Sequence, residues 1–467
     1  MTEQRLTSNQ LSKIIDTNDN SQFLTNKEYY KGENVTIIKK DFDGDPDNRI
    51  PLPYGRRTVN DIAGYAYKRG NVRYIYDSTN NENSIERMKE FMEINNEPIT
   101  SGEIFQDALV NGEGAELQYV SDGVPYFVQI PREQVIFIYK DQIKEELDYS
   151  IRYYTTTRVD ANGDVVEIKR ADVYYVDIIE HYESRSIDKQ TSVDPQKEHQ
   201  NITTGSNVTY ILTDVEEHFY GAVPLYPYRI NSDKLGVFQP SLEIIDTLDN
   251  FGSDSIANSL DRFNDTIMLF SDQLDEDVAA KIKEYKIFDD LGRKDEGGFV
   301  DYLNSKMDIT SSVEGFELFE RVYYELTGVP NWSDDKFNNK SGIAILYSLI
   351  PFENQVSQYE MYFTSGLKYR VQLLNNIAGI LYGMAPVKVE VKWDRNLPLD
   401  LTGLAESVGA LKQIGIVSDE TLLNLFPDSV VNDTEKEIEK IEEQQIKSFE
   451  RFQQTRIDEP KLEESGE

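Results

Sequence analysis

Residues 327–349 read TGVPNWSDDKFNNKSGIAILYSL. An apolar-periodic segment ends at Thr327-Gly328, a polar loop carrying Trp332 and Phe337 intervenes, and a longer apolar-periodic segment starts at Ser341-Gly342. This pattern predicts helix, loop, helix. Upstream, Ile245, Leu248, Gly252, Ile256, Leu260, Phe263 and Ile267 recur at three- and four-residue steps, with Asp246, Asp249, Asp254, Asp261 and Asp265 on the other faces. A mixed insert over 271–308 holds a Gly297-Gly298 break, and Val313 to Leu326 is helical again. Downstream, the helix from Ser341 runs to about Gly383 with a kink expected near Pro351. A strand follows over Val387–Trp393, then helices over Leu404–Ile414, Ser418–Phe426 and Asp433–Phe452.

The first half of the chain changes period more than once. Residues 1–25 are polar and read as a mobile arm. Helices are expected over Val59–Arg69, closed by Gly70, over Ser84–Asn95, and from Ser101 as N-cap to Val110. Beyond Gly112, Ala115, Leu117 and Tyr119 alternate, Ser121-Asp122-Gly123 turns, and Tyr126, Val128 and Ile130 alternate again, which signals a hairpin. Strands are expected over Val135–Tyr139, Ser150–Arg158, Val165–Lys169, Asp172–Tyr182 and Val208–Thr213. Ser184–Asn207 reads as a polar loop, and Val223–Tyr228 as a Pro-rich connector. The fold class is α+β.

With 467 residues, more than one structural unit is expected. No run approaches the roughly 18–20 apolar residues that span a bilayer, and MTEQRLTSNQ has no signal-peptide core. Cysteine is absent, which removes disulfides and thiolate chemistry. The net charge of −36 argues against a protein that grips nucleic acid by neutralising phosphates. It suits an acidic globule, or equally a surface that lies near DNA without adhering.

Motifs for catalysis are missing. There is no GxxxxGK[ST], no GxGxxG after a strand and no HExxH. His181, His199 and His218 lack ligand spacing. Asp41-Phe42-Asp43-Gly44-Asp45 has Leu52 where a calcium loop needs its bidentate Glu, so a solvated turn is expected. Asp272, Asp275, Glu276 and Asp277 suit an acidic helix start better than a Mg²⁺ site. No cofactor and no metal are expected.

The order of these elements resembles the portal proteins of tailed bacteriophages, of the siphophage type of Gram-positive hosts. The resemblance is carried by Tyr67–Gly70, Val110–Gly114, Ile130-Pro131, His218–Gly221 with Val223-Pro224-Leu225, and Ile244-Ile245-Asp246. Thr327–Pro330, Ser341–Ala344, Asn396-Leu397-Pro398 and Ile416–Thr421 continue it. It implies a portal fold assembled as a ring: an N-terminal arm over 1–29, a wing over 30–242, and stem helices over 243–270 and 309–327. It further implies a clip over 271–308, a tunnel loop over 328–341, a long helix and second wing part over 342–400, and a helical crown with an acidic tail over 401–467.

The function so implied is a dodecameric channel at one capsid vertex for packaging and ejecting double-stranded DNA. Implied partners are the terminase large subunit, the head–tail adaptor, the major capsid protein and the scaffolding protein, with no membrane and no enzymatic activity. The alternative is another virion structural protein, such as an adaptor or minor capsid protein. DNA-facing candidates are Asn331, Trp332, Ser333, Asp334, Asp335, Lys336, Phe337, Asn338, Asn339 and Lys340 in the loop. Asp246, Asp249, Asp254, Asp261 and Asp265 are the lumen candidates of the stem. For Trp332, packing against the next subunit is favoured over DNA contact.

Overall fold

The computed structural model describes residues 5–40, 47–67, 72–77, 79–141, 146–159, 163, 165–184, 209–258, 267–270, 299–302, 309–333, 342–394, 401–415, 417–423, 426, 431 and 434–457. Two compact units result, Met1–Asn396 and Leu397–Glu467.

The first unit opens with α1 (Ser8–Thr17), α2 (Ser21–Lys31) and α3 (Val35–Ile38). The mobile arm expected over 1–25 is thereby corrected. Thr7 and Gln10 cap α1 reciprocally, and Leu11 is fully buried with Ile14 and Ile15 packed around the same cluster. These apolar residues share one helical face.

Next come α4 (Tyr54–Ala66), β1 (Val72–Tyr76), α5 (Glu82–Ile94) and α6 (Glu97–Asn111). Ser101 is not the cap of α6. The helix starts four residues earlier with Pro98 in its first turn, where a missing N–H costs nothing, after Asn96 at φ 47.

Two antiparallel sheets follow. β2 (Glu113–Ser121) pairs with β3 (Val124–Ile130) and with β9 (Leu225–Arg229). Asp122 and Gly123 take φ 51 and 76, the two-residue turn that matches hairpin twist. β9 occupies the stretch expected as a connector; it is an edge strand of its sheet, where Pro227 is tolerated. β4 (Val135–Asp141), β5 (Glu146–Val159), β6 (Val165–Tyr174), β7 (Ile178–Ser184) and β8 (Tyr210–Glu217) form the second sheet in that order. On its face α1 meets Ile136, Ile151, Ala171 and Val173.

Strand β2 is buried on both sides. Ala115 and Leu117 join Val135, Tyr174 and Leu225 in an apolar cluster between the sheets. Glu116 and Gln118, one residue out of phase, point the other way and are also buried.

The helical part begins with α7 (Leu242–Asn250), which runs directly into a π-helical turn, Phe251–Asn258. β10 (Ile267–Phe270) then pairs with β11 (Phe299–Tyr302). The helix expected over 243–270 therefore stops short of Ile267. The run Ile267-Met268-Leu269-Phe270 is apolar throughout, and such runs fit strand as well as helix.

Next are α8 (Ile309–Thr327) and α9 (Gly342–Tyr382), a 41-residue helix with Pro351 inside it. Tyr347 and Ile350 are exposed before the proline; Phe352, Val356, Phe363, Leu367 and Leu374 are buried after it. β12 (Val389–Trp393) pairs antiparallel with β1, a strand absent from the sequence expectations. The second unit holds α10 (Leu401–Ile414), α11 (Asp419–Leu423) and α12 (Thr434–Ile457). Ser418 caps α11 by accepting from the Thr421 N–H (3.3 Å).

Candidate functional site: the loop between α8 and α9 and its supports

The loop is anchored before it leaves α8. The Thr327 hydroxyl donates to the Tyr323 carbonyl (2.9 Å). Gly328 takes φ 69, the left-handed cap geometry, and a Cβ there would lie 2.2 Å from Gln355 Oε1. Gln355 Nε2 donates to the Thr327 carbonyl (3.1 Å) and to the Tyr359 hydroxyl (2.6 Å). One side chain of α9 thus closes the end of α8. Val329 is buried, and Asn331 Oδ1 accepts from the Ser333 N–H (3.1 Å) in an Asx turn.

Both flanks of the loop rest on α4. Thr58 and Tyr323 share a hydroxyl–hydroxyl bond (2.6 Å), and the Tyr54 hydroxyl donates to Glu320 (3.0 Å). On the α9 side, the Tyr65 hydroxyl donates to Glu353 (2.6 Å) and its ring lies 4.9 Å from Phe352. Arg57 Nη2 donates to Ser333 Oγ (3.2 Å), its guanidinium sits 5.3 Å from the Tyr324 ring centre, and its Nε lies 3.9 Å from Asp61. The Trp332 indole N–H donates to the Asp61 carboxylate. Burial pushes that carboxyl up, against the pull of Arg57 and Trp332. Asn331, Trp332 and Ser333 are thus placed at the root of the loop. Asp334, Asp335, Lys336, Phe337, Asn338, Asn339 and Lys340 lie outside the described residues.

One aspartate of α7 corrects the expectation for the stem. Asp249 faces no lumen: it is fully buried, accepting from Asn34 Nδ2 (2.6 Å) and the Leu52 N–H (2.8 Å). Burial pushes its carboxyl up to about 6, although both donors favour the charged form. Asp246 accepts from the Tyr29 hydroxyl. Burial and the Asp246 bond push that hydroxyl up, so Tyr29 remains a donor. Lys40 binds the Asn250 side chain, and the Ile50 N–H donates to Ser253 Oγ (2.9 Å). Residues 29–40 and 47–52 therefore form a strap along α7 and the π-helical turn that follows it. Asp254 lies half-buried in the π-helical turn, and Asp261 and Asp265 fall outside the described residues.

A buried ionic cluster fixes α9 farther along. Arg370 is fully buried. Its Nε donates to both Glu116 oxygens (3.1 and 2.9 Å), and its Nη1 to Glu97 (3.2 Å) and Ser101 (2.6 Å). Tyr228 also donates to Glu116 (2.9 Å), and Tyr74 to Glu97 (2.6 Å). Burial alone would lower the Arg370 pKa, but Glu116, together with Tyr228 and Tyr74, outweighs it and holds the pKa well above the ordinary value. Glu113 is a second buried centre: burial alone would push its carboxyl up, but Arg132, Lys234 and Arg229 together hold it down. None of these partners is visible in the periodicity, since each is an isolated polar residue far away in sequence.

His181 binds Asp172 (2.7 Å), which raises its pKa, and His218 bonds the Tyr175 carbonyl (3.0 Å). His199, the Asp41–Asp45 stretch and the Asp272–Asp277 acids lie outside the described residues. Among the described residues no His, Cys, Asp or Glu group has metal-ligand geometry, and no helix is long and apolar enough to cross a membrane.

Comparison with known proteins matches residues 11–450 to the family described as phage portal protein, SPP1 Gp6-like. The portal protein of Clostridium phage phiCD119 is 23% identical over 454 residues, covering 91% of this chain and 93% of that one. The portal protein of Bacillus phage SPP1 is 22% identical over 340 residues, covering 68% of this chain and 61% of that one. A chain of the virion of native gene transfer agent particle aligns at TM-score 0.37 and 12% identity, covering 86% of this chain and 91% of that chain. The family match spans α8, the loop and α9 with nearly everything around them, and the chain belongs to the SPP1 Gp6-like phage portal proteins.

Proposed function

We propose that copies of this chain form the dodecameric ring at one capsid vertex through which double-stranded DNA is packaged and later ejected. The observation that carries this is the portal family match over residues 11–450. The ring is a conduit and no enzyme; the terminase large subunit supplies hydrolysis and docks on the clip, 271–308, before the head–tail adaptor takes its place. Major capsid protein and scaffolding protein are the partners of assembly, and the product is a virion component. The crown, 401–467, faces the capsid interior.

Charge suits that role. Each phosphate neutralised by Lys or Arg would deepen a trap that the motor must pull DNA out of. A chain of net charge −36 presents few such traps. In this proposal the lumen-facing acids are Asp254, Asp261 and Asp265, since Asp246 and Asp249 are engaged by the strap. Residues 331–340 approach the duplex most closely, Lys336 and Lys340 touching phosphates briefly while Asp334 and Asp335 oppose retention.

Electron microscopy of the purified protein tests the ring. Class averages with a central hole and twelvefold symmetry are expected; monomers or compact dimers at all concentrations would refute it. Reversing Asp254 and Asp261 to Lys should slow packaging, and unchanged packaging would remove them from the lumen.

A further inference from the structure

The root of the loop is held by contacts that neither helix packing nor capping requires. Thr327, Gly328 and Gln355 already end α8 and join it to α9. Arg57 then reaches past this closure to Ser333 Oγ, while stacked on Tyr324 of α8 and paired with Asp61 one turn along α4. The same Asp61 accepts from the Trp332 indole.

We infer that Arg57 and Asp61 are positioning residues that set the direction in which the chain leaves α8, by holding Ser333 and Trp332 against α4. The inference rests on the proposed channel role of the loop for its consequence, but not for its geometry. Three features support it. A guanidinium offers a planar fork of donors, so one Arg57 serves Asp61 and Ser333 and still stacks on a ring, which an ammonium cannot do. The side chains of Arg57 and Asp61 are 37% and 25% exposed, so their pairing is partly shielded from water. The Asx turn at Asn331 points Ser333 back toward α4 and leaves no slack between the closure and the contact.

Trp332 carries its own probe. The chain has two tryptophans, and Trp393→Phe leaves Trp332 as the sole emitter. In that background, in assembled full-length rings, acrylamide quenching of Trp332 is compared for the parent, Arg57→Ala, Arg57→Lys and Ser333→Ala. Arg57→Ala should raise the released population of the loop root roughly ten-fold, as expected for loss of a charge-assisted hydrogen bond. Quenching should rise accordingly, with an intermediate value for Arg57→Lys. Ser333→Ala changes only an exposed hydroxyl, so it gives a smaller rise in the same direction even if Arg57→Ala perturbs folding. Equal quenching in parent, Arg57→Ala and Ser333→Ala overturns the inference. DNA packaging by the same rings separates the two readings. Raised quenching with reduced packaging supports both, whereas raised quenching with normal packaging keeps the anchor and refutes the channel role of the loop.

Discussion

Replacing Asp249 by Asn should flatten the pH dependence of stability. Asp249 is fully buried, and its carboxyl is pushed from 3.8 up to about 6. A rise of about two units corresponds to about 3 kcal/mol between the two protonation states. The sign follows from proton binding. Native protein holds this proton more tightly than the unfolded chain, so stability falls as pH rises from 3.8 through 6 and the loss is complete above that. The sequence pI of about 4.5 confines measurement to higher pH. Between pH 5 and 8 about half of the term remains, roughly 1.5 kcal/mol. For a unit of this size, Met1–Asn396, that is about 2 °C in Tm.

The assay is thermal unfolding of wild type and Asp249→Asn across pH 5–8, read as the difference between the two curves. Asp107, pushed up to about 7 by burial and Glu133, adds a term of the same sign to both proteins and cancels in that difference. The gap should move in favour of the variant by about 2 °C as pH rises. Parallel curves would refute the reasoning, because they would mean that Asp249 is as solvated in the folded protein as in the unfolded chain.

Other perturbations probe the remaining supports. Arg370→Met leaves Glu97 and Glu116 buried without their cation and should cost about 3–5 kcal/mol in urea unfolding, partly recovered by adding Glu116→Gln. A loss under about 1 kcal/mol would show that the cluster is not ionised as drawn. Gly366→Ala places a Cβ 2.3 Å from the Tyr228 ring and should cost about 1–3 kcal/mol. At Gly64, in α4, a Cβ meets nothing within 4 Å, and Ala should stabilise by about 0.5–1 kcal/mol; equal effects at the two sites would contradict the packing.

What the residues disclose depends on whether their partners are local. The β2–β3 hairpin was legible because alternation and the Asp122-Gly123 turn act within a few residues. Helix α1 was equally local, with Thr7 and Gln10 in capping-box spacing before Leu11, Ile14 and Ile15, yet the polar composition around them masked it. β9 was hidden by Pro227, which argues against a strand until its edge position is known. Ser101 looked like a cap because small polar residues favour that place; burial beside Arg370 uses the same hydroxyl differently. At the loop, the polar run between two helices was readable, whereas its supports were not. Arg57 lies 276 residues from Ser333, and Asn34 lies 215 from Asp249. Such pairs are set by the tertiary fold and leave no period behind.

The strap along α7 also bears on how this chain can change over generations. Its attachment points, Asp246, Asp249, Asn250 and Ser253, fall at i, i+3, i+4 and i+7, so they share a face only while the helical phase between them is kept. One residue gained or lost inside this window would turn every later attachment by about 100° and detach it. Substitutions here can be absorbed singly, at the cost of one bond each. Insertions and deletions cannot, and related chains that keep the strap should show their length differences elsewhere.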